Sequence, residues 1–298
     1  MIATIPCPGP AFNVAGTSGF YAQMTGLLAG FAFAGIVVLL TPTQNVEREN
    51  IEGRPNEDSD GGEADPIKKE MRANDNGLML ALLAAFFALL IATLTYSVLA
   101  GETLPQARGR AATEELVDGV PFGLAVIMLF HGVAVLMDNG NVSKAAVWLS
   151  RVVAVGVAPV LTLYYVTNGA TDTESARLVL QAPKTICSGA VALPTLGIVL
   201  AIILAAILTV SLTIGRRIPV VRARMKKLQT IPPMIVVAYS VGAAILAGSL
   251  SARSDAFLMS PSILNWYLIL TFAVLAFIGV TLAIGGGRDW SITQETSS

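Results

Sequence analysis

The chain has 298 residues, of which 54% are apolar and only 13% charged, with a formal net charge of −1. Its mean hydropathy is +0.69. A soluble domain carries about 25% charged residues because its surface must stay in water, so this composition excludes a water-soluble enzyme, a disulfide-dense secreted domain and a nucleic-acid binder.

Seven uncharged apolar stretches, each long enough to cross a hydrocarbon core of about 30 Å, follow one another along the chain: Phe20–Leu40, Gly77–Ala100, Val120–Met137, Ala145–Val166, Ala190–Gly215, Ile231–Leu250 and Ile263–Ile284. Arg151 is the one charged residue inside these boundaries. A charge at the centre of a spanning helix costs roughly 2.5–3.5 kcal/mol on insertion, so this segregation is the main warrant for the spans. Lipid offers a backbone no hydrogen-bond partner, so each span must be a helix. The Leu/Ala/Val-rich pattern also lacks the alternation of a transmembrane barrel. The expectation is an all-α, seven-helix membrane bundle over residues 20–284, with an N-tail (1–19) and a C-tail (285–298).

Lys and Arg divide unequally between the two sides, 14 against 5. The richer side is cytoplasmic by the positive-inside rule, which places the N-terminus outside and the C-terminus inside. Phe20, Tyr21, Tyr164, Tyr165, Trp266 and Tyr267 are expected at the outer interface and Trp148 at the inner one. The first apolar run is long for a signal h-region and no basic segment precedes it, so it reads as an uncleaved signal. An Arg excess over Lys, 13 to 6, points to a bacterial plasma membrane.

The first loop, residues 41–76, is acidic and rich in Gly and Pro, and its composition predicts disorder. Its end, from Asp65 and Pro66, reads as a short interfacial helix. Cytoplasmic loops of this kind are where a protein partner would dock. The fifth loop carries Arg216, Arg217, Arg222, Arg224, Lys226 and Lys227 without an acid. Each basic residue near an anionic leaflet contributes about 1 kcal/mol, so these six are candidate anionic-lipid contacts. Two outer loops, residues 106–118 and 173–181, each predict a short helix, the second capped by Thr173.

Catalytic chemistry is sparse. One histidine, His131, and two cysteines, Cys7 and Cys187, cannot supply a zinc site, and there is neither a P-loop nor a dinucleotide fingerprint. The seventh span has no lysine for a retinal Schiff base. No cofactor is expected. Gly16–Gly19, reading GTSG, resembles the GxSG segment of rhomboid-type intramembrane serine proteases, which implies Ser18 as nucleophile. The match covers four residues, and its only available base, His131, lies about 16 Å into the third span. The segment therefore reads as a turn before the first helix. Cys7 and Cys187 both fall on the outer side, where a disulfide between them would persist.

No Asp or Glu falls within the seven boundaries, which argues against carboxylate-coupled transport. One polar constellation remains. His131 and Arg151 each lie six residues from the inner ends of the third and fourth spans, about 9 Å in. Tyr239 on the sixth span is at similar depth, and Asp138 follows His131 by seven residues. These four form a candidate polar pocket open to the cytoplasm, in which Arg151 binds an anion or pairs with Asp138. The leading functional expectation is a non-enzymatic, sensor-like or scaffolding membrane component. The alternative is a small-solute permease or channel built around His131, Arg151 and Tyr239. An intramembrane enzyme ranks last. A cavity within the bundle favours the permease, and a tight core favours the scaffold.

Overall fold

The computed structural model describes residues 14–52, 66–102, 108–139, 143–181, 195–213, 217–254 and 257–285. Among them there is no strand. Nine α-helices follow in chain order: α1 (Val14–Glu52), α2 (Pro66–Ala100), α3 (Arg108–Asn139), α4 (Lys144–Val152), α5 (Ala158–Gln181), α6 (Thr195–Thr213), α7 (Pro219–Lys227), α8 (Ile231–Ser251) and α9 (Pro261–Gly285). A π-helical turn, Val153–Val157, joins α4 to α5 into one continuous rod. Seven rods are long and apolar enough to span a membrane, with α4 and α5 counting as one and α7 lying outside the set. The chain is an integral, multi-pass membrane protein of the all-α bundle class.

Start signals are local. Ser143 caps α4, its Oγ accepting from the Ala146 amide, and Ser260 does the same for α9 through Ile263. Pro219, Pro232, Pro233 and Pro261 sit in first turns, where a missing N–H deprives the helix of nothing. Large apolar side chains such as Leu27, Phe31, Ile202, Ile245 and Leu270 point outward, as a lipid-facing surface requires.

Helix α3 is the axis of the bundle and packs against α1, α2, α4, α5, α8 and α9. Its neighbours come close because α3 carries glycine where they cross. A Cβ on Gly123 would lie 2.1 Å from Thr162 Cγ2 of α5, and one on Gly119 would lie 2.7 Å from the Tyr165 ring. Inside α3, Pro121 cannot donate to the Val117 carbonyl. The Tyr267 hydroxyl of α9 fills the gap, donating to the Leu116 and Val117 carbonyls at 3.3 Å each.

Several expectations change. Helix α1 begins at Val14, so Gly16–Gly19 is helical rather than a turn. Of the first loop, residues 41–52 are helical against the expected disorder, 53–65 lie outside the described residues, and the helix expected from Pro66 is present as the start of α2, which runs unbroken into the second span. The two short outer helices do not exist as separate elements, because α3 already starts at Arg108 and α5 runs on to Gln181. Thr173 is mid-helix and its hydroxyl bonds back to the Gly169 carbonyl at 3.0 Å. The fourth span carries its π-turn next to a proline. Pro159 has no N–H for the Val155 carbonyl, and just before it the Ala158 amide reaches five residues back to Val153. Residues 190–194 of the fifth span lie outside the described residues.

Candidate functional site

The face of the bundle where α1 begins, the N-face, gathers the starts of α3 and α9 and the ends of α2, α5 and α8. Residues 109–121 of α3 are buried without a break. Within them lie Arg110, Glu114, Glu115 and Asp118. The rod that includes them, 109–138, and the rod 145–177, with Asp172 and Glu174, therefore do contain acidic residues, against the expectation from hydropathy boundaries. Hydropathy ends a span where charges begin, but a helix continues as long as its polar groups find partners inside the bundle.

Most of these charges are paired. Arg110 bonds the Ser251 and Arg253 carbonyls at the end of α8, at 3.5 and 3.0 Å. It also pairs with Glu102 and lies 3.8 Å from Glu114. Ser251 donates to Glu114 at 3.1 Å. Arg177 pairs with Glu174 at 3.0 Å and donates to the Met259 carbonyl. Glu115, Asp118 and Asp172 have no cationic partner among the described residues. Oε2 of Glu115 and Oδ1 of Asp118 are buried with no hydrogen-bond partner among the described residues. Asp118 stands beside Thr95 of α2, and Asp172 is the charge that bears on Glu115.

Between α1, α3 and α5 a cavity of about 200 Å³ opens against this group, lined by Thr17, Tyr21, Glu115, Tyr165, Asn168 and Asp172. Two of its walls are aromatic. The rings of Tyr21 and Tyr165 meet edge to face at 5.3 Å, and Tyr96 closes behind them with its hydroxyl 3.4 Å from that of Tyr165. Tyr21, Tyr165 and Tyr267, expected at the lipid interface, thus turn into the bundle, whereas Phe20, Tyr164, Trp266 and Trp148 stay exposed.

The constellation near the opposite face is only partly assembled. Arg151 is buried and pairs with Asp138, Nη2 to Oδ2, at 2.6 Å. His131 is half-buried and feels the charge of Arg151. Tyr239 goes elsewhere and lies beside Tyr267 and Thr271. Of the fifth-loop residues, Arg217, Arg222, Arg224, Lys226 and Lys227 fall on or next to α7, with Arg217, Arg224, Lys226 and Lys227 exposed. Arg216, Cys7 and Cys187 lie outside the described residues.

No group of three or more His, Cys, Asp or Glu side chains is placed to hold a metal ion among the described residues. Comparison with protein-family models, with curated proteins and with solved structures finds no match.

The signal for the N-face site was present in the sequence. Glu114 and Asp118 are four apart, as are Glu115, Gly119 and Gly123, so each set shares one helix face. Small residues on a face that also carries acids mark close packing, not a loop.

Proposed function

We propose that the chain is a small-solute permease that takes its solute at the N-face cavity between α1, α3 and α5. The observation that carries this reading is Glu115. The residue is buried, its Oε2 has no hydrogen-bond partner among the described residues, and it lines a cavity. An ionisable side chain inside a membrane bundle is costly unless compensated, and such groups commonly mark a solute or ion path. Arg110, Glu114 and Arg177 on this face are matched, which makes the unmatched carboxylate at the cavity wall a functional feature. The charge asymmetry of the loops supports an outward-facing cavity. A second polar layer, His131 with the Arg151–Asp138 pair, lies toward the other end of the same bundle and supplies a polar step on the far side. No step in this reading requires catalysis. The helical extensions at residues 41–52 and 66–76 favour a role for partner docking on the cytoplasmic side, the sensor-like alternative.

The test is uptake into proteoliposomes. Wild-type vesicles are mixed in turn with hyperosmotic acetamide, ethylammonium chloride and sodium acetate, and their reswelling is followed by light scattering. Protein-dependent entry of at least one solute, lost in Glu115→Gln, supports the permease. Permeability equal to that of empty vesicles for all three sends the reading back to the sensor or scaffold.

A further inference from the structure

We propose that the occupant of the N-face cavity is a small protonated amine. The proposal rests on the permease reading and specifies its solute. Glu115 is 6% exposed, and its Oε2 accepts nothing. Glu115 lines the cavity, so a hydrogen-bond donor seated there would meet its carboxyl group, and Asp172, which lines the same cavity, adds a second acidic side chain. An N–H-bearing cation satisfies both demands at once, because charge-assisted hydrogen bonds to carboxylates are the strong ones. Anions are repelled by the same pair. A metal ion fits poorly, because no cluster of three or more ligating side chains exists there among the described residues. A quaternary ammonium brings charge but no donor and leaves Oε2 unsatisfied.

The remaining walls suit an alkylamine. Tyr21 and Tyr165 present aromatic surface, which attracts a cation. Leu116 and Val166 give an apolar patch for a short chain, and Asn168 and Thr17 line the same space, offering acceptors for further N–H groups. The volume, about 200 Å³, far exceeds the roughly 10–15 Å³ that one water needs, and falls short of the roughly 300–1,000 Å³ of drug-sized sites. A molecule of a few heavy atoms is the size that remains.

The experiment uses the full-length protein in lipid nanodiscs with ethylammonium chloride, against tetramethylammonium chloride and sodium chloride at equal ionic strength. Ethylammonium is expected to raise the melting temperature in a saturable way and to bind at least tenfold more tightly than either control. Glu115→Gln and Asp172→Asn are each expected to weaken it at least tenfold. Because either variant risks misfolding, the wild-type protein also carries a direct readout. Esterification of Glu115 and Asp172 by a diazo reagent, which amines do not intercept, followed by peptide mass spectrometry, should slow several-fold with ethylammonium and not with tetramethylammonium. Equal effects of ethylammonium and sodium, or labelling unchanged by ethylammonium, overturn the proposal. The flux assay separates the two ideas. Glu115-dependent entry of acetamide without ethylammonium binding keeps the permease and removes the amine. Ethylammonium binding without entry of any solute keeps the amine and removes the permease.

Discussion

At the scale of single residues, two contacts have consequences that can be measured. The Arg151–Asp138 pair is 10% and 14% exposed at its side chains. Removing one partner strands a buried charge, which costs about 3–5 kcal/mol, whereas removing both costs far less. Arg151→Ala and Asp138→Asn should each lower the melting temperature in detergent, and the double variant should recover most of the loss. Additive losses would mean that the pair contributes nothing. The second contact involves Tyr267. Its hydroxyl serves the Val117 carbonyl, which the Pro121 ring leaves without a helical donor, and the Leu116 carbonyl beside it. Tyr267→Phe should cost about 1 kcal/mol. In a Pro121→Ala background the restored backbone amide takes over the Val117 carbonyl, and the same tyrosine substitution should cost almost nothing. A full cost there would show that the hydroxyl stabilises the bundle independently of Pro121.

At the scale of elements, the rod formed by α4, the π-helical turn and α5 sets the register of two sites at once. Arg151 lies before Val153–Val157, and Tyr165, Asn168 and Asp172 lie after it. A π-turn holds one residue more than an α-turn, so it absorbs that residue without rotating the segments on either side. Deleting Gly156 should restore α geometry and leave Arg151 coupled to Asp138 in a double-mutant cycle, whereas inserting an alanine after Gly156 adds an uncompensated residue, rotates everything upstream by about 100° relative to α5 and should abolish that coupling. Loss of the coupling on deleting Gly156 would show that the turn does not absorb the extra residue. The α3–α5 contact gives a sharper steric test. Gly123→Ala puts a methyl into Thr162 and should cost about 1–3 kcal/mol by overpacking. Gly30→Ala meets open space and should be neutral or slightly stabilising. Equal melting temperatures for the two would contradict the close packing of α3 on α5.

At the scale of the whole molecule, the seven apolar rods were legible because lipid imposes a single demand, internal hydrogen bonding along uncharged runs. Their ends were not, because hydropathy is blind to charges that are satisfied within the bundle. Arg110, Glu114 and Ser251 form such a set, and it carries α3 about three turns beyond Val120. Tyr239 was grouped with His131 by depth alone, but rotation about the helix axis decides which neighbour a side chain meets. The N-face site was missed for the same two reasons. Sidedness rests on a different signal, the imbalance of Lys and Arg between the faces, and it is open to a direct check. In a background with Cys7 and Cys187 replaced by Ser, single cysteines belong at exposed positions on both faces. Thr41 and Arg224 mark the basic face, Arg253 and Ser260 the N-face. In intact cells an impermeant maleimide should label the cysteines at 253 and 260 and spare those at 41 and 224 until the membrane is permeabilised. The opposite pattern would invert the bundle, move the carboxylate-lined cavity to the cytoplasm and make its solute one that leaves the cell.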